Sequence, residues 1–413
     1  MKKTYEYRAY PTTKQARILG VWLEILRNLY NQALAWRKDT YKATGETVKK
    51  LTQEKALTPL RQESETVAQV HIDVLQDAID RLDKAYQAFF RRAKKGEEPG
   101  FPRFKGAGRY RSMTFKHLAK KLIRNIRKRT ARVVVPKIGY IKIHYHRPLP
   151  EGKIKTLTLR RKARGWYVCI VVEIPDPVEI PVKTTIGIDV GLESFLTNSD
   201  GETVDTPHYF RESENRLGKA QRMLSRREKG SKRYQKQREH VAKIYEHIAN
   251  QRKDFHYKTA RALFSQCEEV AVENLKIKNM VRNKHLSKSI SDAAWGNFRL
   301  ILQSKAANVG KKLIQVDPKY TSQRCSGCDL IVKKSLSVRV HDCPDCGLVL
   351  NRDHNAAINI KKAAVALRGG VSVVNDPEIP SNGTEARNSI SPVGRTSPVL
   401  QGGITDRYGG LNQ

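Results

Sequence analysis

The sequence predicts an α/β domain with a zinc ribbon set into it, preceded by a small basic β-barrel that carries inserted helices. Three observations carry this. Over residues 183–362, apolar strand-length runs alternate with helical periods, the pattern of an α/β domain. Within that span stand Cys325-Ser-Gly-Cys328 and Cys343-Pro-Asp-Cys346, two Cys-x2-Cys pairs separated by 14 residues. From about 112 to 175 the runs are short, β-like and interleaved with Lys and Arg.

The chain opens with a strand over Tyr5 to Ala9. Thr12 with Gln15 three residues later is a capping-box signal. Ile18, Trp22, Ile25, Leu29 and Ala33 then recur at helical spacing, and a second helix runs through Ile72, Leu75, Ile79, Leu82, Tyr86 and Phe89. Its aromatic positions read as helix-packing core, not as base-stacking platforms. Gly100-Phe101-Pro102-Arg103-Phe104 ends the helical part. Four β runs follow, at 132–135, 140–143, 156–159 and 166–172, with Arg164-Gly165 as the turn before the last. The opening strand can complete this barrel. Segments 1–12 and 100–182 then form it, and 13–99 is a helical insertion.

Pro175-Asp176-Pro177 through Pro181 reads as a linker. The α/β domain covers 183–320 and 349–362, with the ribbon at 321–348. Its first strand, Thr185-Ile186-Gly187-Ile188-Asp189, carries an embedded acid, and a β run follows at 194–197. A helical region over about 211–266 holds thirteen Lys and Arg against three acids between 216 and 253, and Gly230-Ser231 breaks it in two. A solvated helix face normally mixes both signs, so this one reads as a nucleic-acid face. Arg222, Arg226, Arg227, Lys232 and Arg233 are its candidate phosphate contacts. Glu269 to Glu273 is a further strand ending in an acid, and Lys312 to Val316 another. Residues 363–413 carry four Arg and four acids, are rich in Gly, Ser, Pro and Asn, and read as a flexible tail.

The whole chain has 78 Lys+Arg against 41 Asp+Glu, a formal net charge of +37. Solubility alone needs far less. The excess implies a polyphosphate partner, whose counterions are released on binding. No run approaches the roughly 18 apolar residues of a membrane span, and the N-terminus lacks the apolar core of a signal peptide. A cytoplasmic protein is expected, where reduced thiols favour metal over disulfides.

The cysteine spacing fits a closed, four-thiolate structural zinc site with no open position for catalysis: Cys325, Cys328, Cys343 and Cys346 holding one Zn²⁺. An acid inside an apolar strand is costly unless paired or metal-bound. Asp189 and Glu273 sit that way, and Asp353 lies where a helix begins. Three such acids on separate elements suit Mg²⁺, which takes oxygen ligands and substrate phosphates. Two such ions can serve an in-line phosphodiester displacement. With the basic charge, this points to a metal-dependent nuclease.

Gly187-Ile188-Asp189-Val190-Gly191, Val272-Glu273-Asn274-Leu275, Ser304-Lys305-Ala306-Ala307, Tyr320-Thr321-Ser322-Gln323-Arg324-Cys325 and Arg352-Asp353-His354-Asn355-Ala356-Ala357 occur in this order, with the ribbon between the last two. The set resembles the TnpB family of transposon-encoded RNA-guided DNA endonucleases, related to the type V CRISPR effectors. Tyr10-Pro11 and Gly100 to Phe104 resemble it too. The resemblance implies an RNase H-like RuvC nuclease domain with Asp189, Glu273 and Asp353 as its metal-binding carboxylates. It also implies a wedge-type barrel with a helical recognition lobe, and a guide RNA and a double-stranded DNA target as partners. Gln76 and Lys116 are candidates for reading a short motif beside the target. A monomer within a ribonucleoprotein is expected, near the nucleoid of a prokaryote. Asn351 departs from the family pattern, where a further acid is common, and so does Asp329, where Gly is usual. Two other readings compete: a nuclease-inactive RNA-guided repressor, disfavoured because all three carboxylates are present, and a transposase joining DNA ends, for which no Tyr nucleophile on a histidine-bearing scaffold stands out.

Overall fold

Tyr7 and Ala9 face inward while Arg8 and Tyr10 face solvent, the period-2 alternation of strand β1 (Lys2–Tyr10). The computed structural model describes residues 1–369 apart from 120 and 336. The chain divides into two units between Pro175 and Asp176.

In the first unit β1 lies near the middle of a seven-stranded sheet. The other strands are β2 (Ser112–Phe115), β3 (Ile123–Arg127), β4 (Thr130–Val135), β5 (Gly139–His144), β6 (Lys153–Lys162) and β7 (Gly165–Glu173), in the order β2-β6-β7-β1-β5-β4-β3. All pairings are antiparallel; β1 lies along β7 from Lys2↔Glu173 to Ala9↔Trp166 and touches β5 at Ala9↔Ile143. The order is linear: among the described residues no ladder joins β2 to β3 into the closed barrel expected from the sequence. Strands β2 and β3 were not legible, because β2 is four residues long and β3 exposes most of its side chains.

The helices between β1 and β2 are α1 (Thr13–Thr44), the short α2 (Lys50–Lys55), α3 (Leu57–Glu63) and α4 (Glu65–Ala68), and α5 (Ile72–Lys94). The Thr12–Gln15 capping box forms in both directions, and Gly45 ends α1 in the left-handed conformation. Leu19, Leu26 and Leu34 of α1 and Leu75, Ile79 and Leu82 of α5 join the sheet's core. Helix α5 also buries Asp73, Asp77 and Asp80. Asp73 accepts from the backbone N–H of Lys116 and His117, each at 2.7 Å, and Asp77 from that of Thr114 at 3.0 Å. Carboxylates thus satisfy edge-strand donors that another strand would otherwise use.

The second unit is built on a five-stranded sheet, β10-β9-β8-β11-β12, of β8 (Thr185–Asp189), β9 (Ser194–Asn198), β10 (Thr203–Asp205), β11 (Glu269–Glu273) and β12 (Lys312–Val316). Strands β8, β11 and β12 run parallel, β9 lies antiparallel to β8, and β10 lies antiparallel to β9. A parallel core must be covered on both faces. On one face α7 (Lys232–Gln266), two short helices, α8 (Ile277–Met280) and α9 (Ser287–Ala293), and α10 (Trp295–Val309) pack around Phe195, Leu263, Phe298 and Leu302. On the other face α11 (Arg352–Arg368) places Ile360 and Ala364 on Ala271 and Val316. Helix α6 (Tyr209–Ser225) pairs with α7 through Leu217, Ile244 and Ile248. Ser231 caps α7 and so makes the break at Gly230-Ser231. The ribbon hairpin is β13 (Val340–Asp342) and β14 (Val349–Asn351). Helix α11 runs to Arg368, six residues past 362, because Ala364 still has core to cover. The tail read from composition otherwise lies outside the described residues.

Gly187 lets α11 lie directly on β8. A Cβ there would stand 2.1 Å from the carbonyl oxygen of Ala357 and 2.6 Å from the backbone nitrogen of Lys361. Backbone cannot yield as a side-chain tip can. Gly187→Ala is therefore expected to destabilise the protein by about 3 kcal/mol or more, read as a melting temperature lower by roughly 6–12 °C. Gly20, inside α1 with nothing within 4 Å of its Cβ position, is the control: Gly20→Ala should stabilise by about 0.5–1 kcal/mol.

Candidate functional site

Strands β8 and β11 end in acids at the same edge of the sheet. The parallel register pairs Ile188 with Val272, so Asp189 and Glu273, next along each strand, stand side by side. The third acid, Asp353, lies in the first turn of α11, where the helix dipole favours negative charge. Asn351 caps that helix by accepting from the N–H groups of Asp353 and His354, which is what this departure from the family pattern does here. Gly191 lets the turn after β8 close on β9: a Cβ there would stand 2.8 Å from the carbonyl oxygen of Ser194.

The electrostatics are those of crowded carboxylates. Burial raises the Asp189 carboxyl well above its ordinary range, the nearby Glu273 and Asp353 carboxylates raise it further, and Arg352 offsets part of this. Burial also raises Glu273, against the hydrogen bond that Thr321 Oγ1 donates to its Oε1. Asp353 is held by two guanidinium groups: Arg352 donates to Oδ1 from Nε at 3.1 Å and Nη2 at 3.0 Å, and Arg339 Nη1 lies 3.7 Å from Oδ2. Arg339 also pairs with Glu193 at 3.2 Å. The three carboxylates do not all come within 4.8 Å of one another, as the four cysteine sulfurs do. The all-oxygen donor set suits Mg²⁺.

The cysteines converge as their spacing predicts. Cys325 and Cys346 sulfurs lie 3.5 Å apart, as do those of Cys328 and Cys343. A tetrahedral ion with Zn–S near 2.3 Å would set them about 3.8 Å apart, so the quartet fits zinc. Gly327 N–H donates to Cys325 Sγ at 3.3 Å. Asp329 adopts φ +65° just past this knuckle, which explains why glycine is usual there. The ribbon is sewn to α11. Asn355 accepts from Ser326 N–H and donates to the Arg324 carbonyl, and Asn359 donates to the carbonyls of Thr321 and Arg324. His354 is a neighbour only: its ring lies 3.3 Å from the Ser199 carbonyl oxygen.

The other candidates separate. The amine of Lys116 pairs with Asp80, and Gln76 is half-buried on α5; both lie along the α5–β2 seam of the first unit. Of the five basic residues proposed on the α6–α7 region, Arg227 and Arg233 line an open groove of about 1020 Å³ between these helices, while Arg222, Arg226 and Lys232 face solvent elsewhere. Arg216, Lys219 and Lys236 line it instead. Charge counting located the face; helix rotation selected the side chains. Arg339 carried no sequence signal, and Thr321 and Arg352 entered only as motif members without a role, since nothing local marks a side chain as second neighbour to a carboxylate.

Comparison with known proteins agrees with this architecture. Residues 169–284 match a family described as "Probable transposase", 295–360 a "Cas12f1-like, TNB domain", and 1–46 a "Helix-turn-helix domain". That last span holds β1 and the single helix α1 in this structure. A protein of Streptomyces pristinaespiralis named "Putative RNA-guided DNA endonuclease" is 34% identical over 374 residues, covering 89% of this chain and 90% of its own. The InsQ protein of Escherichia coli (strain K12), named likewise, is 28% identical over 88% of this chain and 93% of its own. Among solved structures, a Cas12f1–sgRNA–target DNA complex shares the fold with a TM-score of 0.54 at 14% identity, over 85% of this chain and 83% of that one. With more than a third of residues identical along nearly the full length of the Streptomyces relative, and the family's motifs assembled at one sheet edge, this chain belongs to the TnpB family.

Proposed function

We propose that this chain is an RNA-guided, Mg²⁺-dependent DNA endonuclease encoded by a transposon, cutting beside a short motif adjacent to its target. The observation that carries the chemistry is the meeting of Asp189, Glu273 and Asp353 from two parallel strands and a helix at one sheet edge. Bound Mg²⁺ would supply Lewis acidity at the scissile phosphate and an activated water. Asp189 and Glu273 hold the ligand oxygens on a rigid sheet, and Thr321 orients Glu273. Arg339 and Arg352 restrain Asp353 and place positive charge where a phosphate would approach. The curated relatives are named for RNA-guided DNA cleavage, and the charge of +37 matches nucleic-acid partners. The seven-stranded sheet with α1–α5 would serve as wedge and recognition lobe. Gln76 and Lys116 would face the adjacent motif, with Asp80 holding the lysine.

Sequence choice then rests on guide–target pairing. The purified protein with its copurified RNA, given matched and mismatched plasmids at physiological salt, should cut the matched one, and mismatches next to the adjacent motif should block cutting most. Equal cutting of both plasmids would leave a non-specific basic nuclease.

The α6–α7 groove would hold phosphates. Among the described residues no acid pairs with Arg216, Lys219, Arg227, Arg233 or Lys236. Arg227→Ala with Arg233→Ala should weaken nucleic-acid binding for every sequence alike. The salt slope of log K should fall by about 1.4–1.8, at roughly 0.7–0.9 for each phosphate no longer neutralised. An unchanged slope would remove these residues from the interface.

A further inference from the structure

The end of α5 and the loop after it expose an aromatic cluster that the proposed chemistry does not use. Tyr86 is only 7% exposed and packs inward, but Phe90, Phe101 and Phe104 are 50%, 44% and 52% exposed. Phe89, expected from its spacing to be core, is half-buried and joins the surface group. Phe89 meets Phe90 at 5.3 Å and Phe101 at 5.4 Å between ring centroids, both edge-on, and Tyr86 meets Phe101 edge-on at 5.5 Å. Edge-on contact sets one ring's edge against the face of the other, and Tyr86 also lies stacked on Phe90 at 6.3 Å, so these contacts fix the rings while about half of Phe90 and of Phe101 stays exposed. Leaving Phe90 and Phe101, joined through Phe89, half in water has a cost, because solvent-exposed apolar patches promote association.

Cations surround the cluster. Arg91, Arg92 and Lys94 occupy the last turn of α5 and Lys95 caps it. Arg103 lies between Phe101 and Phe104 in sequence, and Lys38 sits 5.5 Å from the Phe104 centroid. Among the described residues no acid pairs with any of these six. Exposed rings among unpaired cations suit a strand that offers π-faces and phosphates together. Paired duplex keeps its bases stacked on one another, so only unpaired nucleotides can use such rings. RNA presents these permanently in loops and bulges, whereas a DNA target does so only while open.

We propose that Phe89, Phe90 and Phe101 form a stacking platform for unpaired bases of the guide RNA. This rests on the RNA-guided reading above. The test uses full-length protein with its copurified RNA stripped and added back. Phe90→Leu with Phe101→Leu keeps apolar bulk but removes the π-faces, so folding should survive, checked by an unchanged melting temperature. RNA affinity should fall by about 5- to 150-fold for each base that no longer stacks, with the salt slope unchanged because no cation is removed. Phe90→Trp should bind at least as tightly as wild type. Ultraviolet crosslinking of the wild-type ribonucleoprotein should place RNA adducts on residues 89–104. Wild-type affinity in the leucine variant, adducts confined elsewhere, or a changed oligomeric state with unchanged RNA affinity would each overturn the platform while guided cleavage stands. Failure of the wild-type protein to retain any RNA would instead overturn the guided reading, and the platform with it.

Discussion

Asp189→Asn is expected to abolish cleavage and, in metal-free buffer at neutral pH, to raise the melting temperature. The two effects share one cause. In the folded chain burial and the neighbouring carboxylates hold the Asp189 carboxyl well above its ordinary value of 3.8. The folded state therefore keeps a proton that the unfolded chain has already released. Stability is withdrawn as pH rises through that interval, because the folded state binds more protons there. Asparagine removes the charge and with it the penalty, about 1.4 kcal/mol for each unit of elevation. Each kcal/mol recovered corresponds to roughly 2–4 °C for a domain of this size. The gain should shrink toward pH 4, where the native carboxyl is protonated too. Mg²⁺ should stabilise the wild-type protein increasingly as pH rises and leave the variant nearly unmoved. Melting curves across pH with and without Mg²⁺, beside a plasmid-cleavage assay, test both parts. A variant that still cuts, or that melts below wild type at pH 8 without metal, would refute the assignment of Asp189 as a ligand held among like charges.

Removing zinc should cost about 100-fold or more in cleavage although no cysteine touches DNA. The ribbon's knuckle is bound to α11 through Asn355 and Asn359, and Thr321, just before the knuckle, holds Glu273. Two of the three carboxylates thus lean on a segment whose folding free energy comes from the ion. Removing a supporting partner around a metal site typically costs about 10–100-fold. Cys343→Ser should lower the zinc content below one per chain and cripple cutting. Chelated wild-type protein should recover when zinc is returned, and the variant should not. RNA retention should change little in either, since neither the first unit nor the lining of the α6–α7 groove includes the ribbon. Zinc-free protein that cuts at the native rate would separate ribbon from active site.

Several features were legible because they are local. Cysteine spacing is covalent, and the capping box at Thr12 and Gln15 spans one helical turn. An acid at the end of an apolar run stands out by pattern alone, so Asp189 and Glu273 were legible, as was Asp353 at a helix start. The closed barrel was not, because closure depends on which edge strands meet, and β2 and β3 leave no ladder between them. The core position expected of Phe89 fails for a related reason: period 3.6 places it near the core face, but the buried stripe of α5 ends at Tyr86 and Phe89 is half-buried.

By itself, then, the sequence determined the ribbon, the three acids, the basic helical face and the family they mark. Tertiary structure alone decided that Asp189 and Glu273, 84 residues apart, sit on neighbouring parallel strands in register. It decided that Gly187 brings Asp353 to them, that Arg339 and Arg352 restrain it, and which cations line the α6–α7 groove. The physical reason is the range of the forces involved. Strand pattern, caps and metal knuckles are settled within a few residues, whereas strand partners, helix rotation and the mutual repulsion of carboxylates exist only once distant segments are packed together.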